Sequence, residues 1–305
     1  MPLDPAVKAV LDILDAAGDR QLHELPMPLA RANYDQLAGL GGEPAAIGRT
    51  ERTTADGVPV RLYWPDSPGP HPILLFFHGG GWVLGSLDGY DGVARDLSAH
   101  ADCLVVSVGY RLAPDHCFPA AVEDALTVAK WAMRTGDAYG GDTQRLAVAG
   151  DSAGGNLSAV LVNELPGRFR AQALLYPVTD QTRKHPSVRE NGQGYLLTED
   201  TLRWFSENYL GDQDPRHPWA SPLFAADEVL AAAPPTLVVT GEFDPLRDEG
   251  EAYADRLRAL GVHVENRRYD GMIHAFFSMR GMVPAAGEAL RQVTDFLQEA
   301  WTQHT

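Results

Sequence analysis

The sequence predicts an α/β fold, a mostly parallel central sheet flanked by helices, and three observations carry that prediction. Short runs that are apolar throughout (HPILLFF, CLVVSVG, RLAVAG, AQALLY, PTLVVTG) alternate with helical stretches. Strands covered on both faces read this way, and strand–helix alternation builds parallel, doubly wound sheets. The 305 residues, 45% hydrophobic and 22% charged, suffice for one large core without disulfide or metal staples. One domain, with at most a small lid, is expected.

In chain order, residues 5–40 are expected to be helical: Val7, Val10, Leu11 and Leu14 recur at helical spacing, and Pro26 and Pro28 set off a second helix. AIGRTERTT and VPVRLYW follow, joined at Asp56-Gly57, which predicts an antiparallel edge hairpin. The apolar strands come next, separated by the helix AAVEDALTVAKWAMR and by a small-residue helix after RLAVAG. The alternation breaks between Asp180 and Pro234, where glycines and prolines surround a helix near Thr198 to Tyr209, and this reads as an inserted lid. PTLVVTG, a helix around Arg247 to Leu260, the strand VHVENRRY and a final helix complete the sheet. The resulting division is an N-terminal helical segment (1–45), a main α/β domain (46–180 and 234–305) and an insertion (181–233).

Charge and composition exclude several classes. With 25 basic against 41 acidic residues the net charge is −16, which repels phosphate backbones, so no nucleic acid partner is expected. No apolar run approaches the roughly 18 residues of a membrane span, so no stable membrane insertion is expected. The N-terminus lacks a basic start and a continuous apolar stretch, which predicts a cytoplasmic protein. Cys103 and Cys117 form no CxxC pair, and there is no HExxH, EF-hand loop or Cys/His cluster. Neither metal nor cofactor is implied. The Asn156-Leu157-Ser158 sequon falls in the small-residue helix and reads as structural. A monomer or homodimer is expected.

The sharpest chemical feature is RLAVAGDSAGGNL, in which GxSxG sits at a strand-to-helix junction around Ser152. Small residues flank a serine on a strained turn, and the helix N-terminus behind it offers free backbone N–H groups to developing negative charge. In FFHGGGWVLG, three glycines after an apolar strand allow N–H groups to converge on one spot, as an oxyanion site requires. The GxxxxGK[ST] and GxGxxG patterns of phosphate cradles are absent.

A serine nucleophile needs a base and an orienting acid. Of ten histidines, His263 lies in a strand pattern, His100, His185 and His304 read as solvated, and His78 reads as an anchor of the glycine loop. His274, in a loop after the last predicted strand, falls at the sheet edge that carries Ser152. Asp244 stands just past a strand, whereas Asp248, a turn later, suits a helix N-terminus. The order Ser152, Asp244, His274 is that of an α/β-hydrolase.

HGGGW (78–82), YRLAPDHCFPAA (110–121), GDSAGGNL (150–157), DPLRDEG (244–250) and HAF (274–276) together resemble the hormone-sensitive-lipase-like α/β-hydrolases, the bacterial family IV carboxylesterases. The resemblance implies Ser152 as nucleophile, Asp244 as acid, His274 as base, and the amides of Gly80, Gly81 and Ala153 as oxyanion donors. It also implies a helical cap made from the N-terminal helices and the insertion, and a small-molecule ester of short or medium acyl chain as substrate. Asp115 stands where the family usually has glutamate. Trp82, Tyr195, Trp204 and Phe205 are candidates for the acyl pocket or for core packing. An amidase or peptidase would use the same residues; a binding receptor on this fold is disfavoured by the intact histidine.

Overall fold

The protein is described as a computed structural model covering residues 2–16 and 21–302; residues 17–20 of the expected helical segment, and His304, lie outside the described residues. Eight strands, β1 (Arg49–Ala55), β2 (Val58–Trp64), β3 (His71–Phe77), β4 (Leu104–Val108), β5 (Gly141–Asp151), β6 (Ala171–Leu175), β7 (Thr236–Phe243) and β8 (Val264–Ile273), form one sheet in the order β1-β2-β4-β3-β5-β6-β7-β8. β2 is antiparallel to both β1 and β4, and every other pairing is parallel. The β1–β2 turn places Asp56 and Gly57 at φ 48° and 96°. Positive φ at both positions matches the turn to the twist of the strands, which explains the Asp-Gly pair.

The helices are α1 (Pro5–Ala16), α2 (Met27–Gln36), α3 (Asp91–Ala101), α4 (Ala120–Thr135), α5 (Ala153–Glu164), α6 (Pro186–Asn191), α7 (Glu199–Tyr209), α8 (Asp227–Leu230), α9 (Arg247–Ala259) and α10 (Pro284–Thr302). All seven residues of β3 are buried because both faces are covered. Ile73, Leu75 and Phe77 pack with α4 and α5, while Leu74 and Phe76 point the other way toward α3 and α10. Each such fully buried side chain contributes roughly 1.5–3 kcal/mol relative to exposure. Val7 and Val10 of α1 join the second of these cores, beside Tyr269 and Met272, and the Asp4 amide donates to Gly271 O at 3.2 Å.

Two strands outrun their apolar signatures. β5 starts at Gly141, with polar residues that pair to the start of β3 before the register shifts between Pro72 and Ile73. β8 passes through Asp270-Gly271, a dipeptide that reads as a turn, and continues to Ile273. It bulges there: Gly241 faces Tyr269 while Phe243 faces Ile273, and the Gly271 amide donates to Glu242 Oε2 at 2.7 Å. His274 therefore leaves the end of a strand directly, without an intervening loop. Between β6 and β7 lie α6, α7 and α8, with Thr198 capping α7 by accepting from the Thr201 amide. Among the described residues no helix is long and apolar enough to cross a membrane.

Candidate active site

Ser152 sits between β5 and α5 at φ 55° and ψ −115°, a conformation that costs a non-glycine residue about 1–3 kcal/mol. The surroundings hold it there: its amide donates to Leu175 O at 2.8 Å, and its carbonyl accepts from the amides of Asn156 and Val178. The flanking glycines have a steric cause. A Cβ on Gly150 would stand 2.3 Å from Gly154 O, and one on Gly154 would stand 1.9 Å from Phe77 O. Gly154→Ala is therefore expected to force the elbow away from β3 and to lower stability by about 3 kcal/mol or more. In a chain of this size that is a fall in Tm of about 5 °C or more, to be read in a thermal melt. Asn156 is wholly buried, with its amide nitrogen donating to Val178 O and Ala220 O, both at 2.9 Å. It ties α5 to the segment between β6 and β7.

Beyond β3 the glycine loop turns at Gly80 and Gly81, with φ 107° and 60°. A Cβ on Gly80 would meet Leu84 O at 2.4 Å, and one on Gly81 would run into the Phe205 ring. The Gly79 amide is occupied, donating to Asp151 Oδ1 at 2.8 Å. Among the described residues the amides of Gly80, Gly81 and Ala153 donate to no protein acceptor, and Gly80 and Gly81 line the same cleft as Ser152. Asp151 in turn accepts from Tyr90 Oη at 2.9 Å, and Tyr90 meets Tyr34 Oη at 3.0 Å. Burial pushes the Asp151 carboxyl up to about 6, against the opposing hydrogen bonds from Tyr90 and Gly79. His78 is stacked on Tyr110 with ring centres 4.4 Å apart, and its Nδ1 lies 2.8 Å from Gly79 O. Burial pulls its imidazole down to about 4, so the ring is neutral and Nδ1–H donates to that carbonyl. It braces the loop.

The structure brings Ser152, His274 and Asp244 into one line: His274 Nε2 is 3.0 Å from Ser152 Oγ, and His274 Nδ1 is 2.8 Å from Asp244 Oδ2. Asp244 is fully buried at the end of β7, its other oxygen accepting from the Leu246 amide at 2.8 Å. With a carboxylate on Nδ1, the imidazole carries its proton there and presents a bare Nε2 to the serine. Tyr176 packs its ring 4.7 Å from that of His274. Asp248 points elsewhere, accepting from the Ser187 amide at 2.8 Å and from Arg247 Nε at 2.7 Å. His185, expected to be solvated, instead places Nε2 3.2 Å from Asp180 Oδ2.

A cleft of about 1180 Å³, counted out to its open mouth, leads to Ser152 and His274. Leu37, Leu40, Leu197, Phe205, Phe277 and Met279 make most of it apolar, as small-molecule sites tend to be. A second cavity of about 390 Å³ also borders Ser152 and shares Gly81, Leu197 and Phe205 with the first. Of the aromatic candidates, Phe205 lines both spaces and Trp82 the smaller one. Tyr195 and Trp204 line neither: Tyr195 packs on Phe243, and Trp204 supports Phe205. Sequence reasoning missed Tyr34, Tyr90 and Asp151 as a chain, because no spacing links α2 to the elbow. Asp115, the shortened acid, reaches Arg31 of α2 at 2.9 Å, and Arg31 also donates to Val83 O and Ala113 O. Among the described residues no group of three or more His, Cys, Asp and Glu side chains could hold a metal ion.

Comparison with known proteins places these features in context. A family described as alpha/beta hydrolase fold matches residues 74–278. An ethyl acetate hydrolase of Pseudomonas putida is 39% identical over 98% of this chain and 99% of its own length. A carboxylesterase of Mycobacterium tuberculosis is 38% identical over 94% and 92%. Among solved structures, a hyperthermophilic esterase from the archaeon Pyrobaculum calidifontis superposes with a TM-score of 0.91 at 37% identity, covering 98% of this chain and 99% of that one.

Proposed function

The chain belongs to the α/β-hydrolase fold family, in its hormone-sensitive-lipase-like group, and from that membership we propose a carboxylesterase that cleaves short- to medium-chain esters through Ser152, His274 and Asp244. The observation that carries the reading is the continuous hydrogen-bonded line from Asp244 through His274 to Ser152 Oγ, facing amides with no protein acceptor. His274 Nε2 takes the hydroxyl proton as Oγ attacks the ester carbonyl carbon. The carbonyl oxygen becomes an oxyanion and accepts N–H bonds from Gly80, Gly81 and Ala153, at a site that is already formed and needs no reorganisation. Collapse expels the alcohol, which receives the proton from His274, and leaves an acyl-serine. Water then repeats the sequence: His274 removes its proton, the oxygen attacks the acyl carbon, and the carboxylic acid departs as Ser152 regains its hydrogen. Asp244 holds the imidazole tautomer and stabilises the cation.

Hydrolysis of p-nitrophenyl esters of increasing chain length, with a p-nitroanilide control, tests this. Turnover of the short and medium esters far above the anilide is expected; preferred cleavage of the anilide would establish an amidase instead. The membership, and the esterases among the relatives, support the ester reading.

Residues 1–45 and 181–233 serve in this reading as a cap over the catalytic residues 46–180 and 234–305. Support comes from Leu37 and Leu40 on one segment and Leu197 and Phe205 on the other, which line the same cleft, and from His23 Nδ1, 3.0 Å from Thr201 Oγ1. Arg31 fastens α2 to the loop behind Gly81. Arg31→Ala is expected to raise KM several-fold on the longer esters with a smaller change in kcat, read from steady-state kinetics across the same esters. An unchanged KM would separate α2 from the substrate site.

A further inference from the structure

We propose that the smaller cavity beside Ser152 is an acyl subsite that selects esters of short hydroxy acids, an inference that rests on the esterase reading above. Its side of the serine follows from proton delivery. His274 lines the large cleft and not the small cavity, and the departing alcohol must collect its proton from His274 Nε2. The alcohol portion therefore occupies the large cleft, and the acyl portion left on Ser152 faces the small one.

Val178, Leu197, Leu202, Phe205 and Leu246 give that small cavity mostly apolar walls, but polar groups without partners stand among them. Among the described residues Trp82 Nε1, Gln181 Nε2, Arg183 Nη1 and Glu249 Oε2 are buried polar atoms with no hydrogen-bond partner, and all four residues border this one space. Gln181 and Glu249 are 6% and 0% exposed. Each is fixed through its other end: Gln181 Oε1 accepts from Ser206 Oγ at 2.7 Å, and Glu249 Oε1 accepts from the amides of Thr179 and Asp180 at 2.8 and 3.2 Å. Buried polar groups are ordinarily paired, so four unpaired ones on residues bordering the same cavity mark a place where a ligand supplies a missing partner.

The chemistry of that partner is constrained. Trp82, Gln181 and Arg183 offer N–H donors and require an acceptor oxygen. Burial pushes the Glu249 carboxyl well above the usual carboxylate range, with Asp180 and Asp244 adding to the rise, so its free oxygen is available as a donor. A hydroxyl fits either state of Glu249: it accepts from two N–H groups and donates to an ionised Oε2, or accepts from the protonated carboxyl and from one N–H. A second carboxylate on the acyl chain is disfavoured by Asp180, which also borders the cavity. Burial alone would raise the Asp180 carboxyl, but hydrogen bonds from His185 and Thr182 hold it below its usual range and charged.

The test compares near-isosteric pairs by pH-stat titration: ethyl 2-hydroxybutanoate against ethyl 2-methylbutanoate, and ethyl 3-hydroxybutanoate against ethyl 3-methylbutanoate, each kcat/KM divided by the rate of alkaline hydrolysis. At least one hydroxy ester is expected to exceed its methyl partner by about tenfold or more, because a site built to bond a hydroxyl rejects the analogue that leaves its groups unpaired. In Gln181→Met, and in the half-exposed Arg183→Met should the first fail to fold, that ratio is expected to fall toward one. Ratios near one for both pairs in the unmodified enzyme would overturn the subsite, leaving the cavity to water or a plain acyl chain. A high ratio that survives both substitutions would overturn the assignment to these residues. Hydrolysis of none of the four esters, nor of the p-nitrophenyl esters, would instead overturn the esterase reading and this inference with it.

Discussion

Ser152→Ala is expected to fold normally and to lose about 10⁴- to 10⁶-fold in kcat on any ester the enzyme accepts. The hydroxyl is the only part of the side chain that the substitution removes, and the elbow is held by other contacts: the Ser152 amide to Leu175 O, its carbonyl to the amides of Asn156 and Val178, and the bare backbones of Gly150 and Gly154. Alanine keeps all of these, so circular dichroism and the melting temperature should stay close to those of the parent. What disappears is the atom 3.0 Å from His274 Nε2, and with it the covalent route. The amides of Gly80, Gly81 and Ala153 remain and still polarise a bound ester, which is why residual hydrolysis above the solution rate is expected. Near-parental turnover by the purified, folded variant would remove Ser152 from the mechanism.

Where the sequence was informative and where it was not has a physical explanation. β3 and β4 are covered on both faces and are apolar except for His71, Pro72 and Ser107, so their apolar runs coincide closely with the strands. At the polar start of β5 only Gly141 and Asp142 pair, at the end of the strand and ahead of a register shift, where no apolar side chain is demanded. The end of β8 was hidden because Asp270-Gly271 has the composition of a turn but the backbone of a bulge. The elbow and the glycine loop were legible since their sterics leave almost no choice of residue: a single Cβ at Gly80, Gly81, Gly150 or Gly154 collides with backbone or with Phe205. Tyr34, Tyr90, Gln181 and Glu249 left no such trace. Their placement depends on which loop lies over which helix, and a tyrosine or glutamate in an amphipathic stretch reads the same whether it borders a site or merely packs. His185 illustrates the reverse error, a histidine in a polar stretch that the fold turns inward onto Asp180.

Asp244 and Asp248 lie one helical turn apart, and their amide variants are expected to behave very differently. Asp244→Asn should lower kcat by about 10⁴ while leaving KM within a few-fold. The carboxylate oxygen 2.8 Å from His274 Nδ1 accepts only, and so compels the proton to that nitrogen. An asparagine can present its NH2 there, accepting no proton and favouring the tautomer whose Nε2–H points at Ser152, which cannot then receive the serine proton. The backbone bond from the Leu246 amide to the other oxygen can be kept by the asparagine carbonyl, so the fold has little reason to change. Asp248→Asn removes a charge that serves Arg247 and the Ser187 amide at the start of α9, where an acid also favours the helix dipole. Its replacement should cost about 0.3–1 kcal/mol of stability and change kcat by less than about threefold, a difference of under 1 kcal/mol. Both variants measured on one ester, with melting curves alongside, decide the matter. Loss of turnover concentrated in Asp248→Asn, with Asp244→Asn nearly active, would mean that the line from Asp244 to Ser152 is not the path by which the imidazole is oriented.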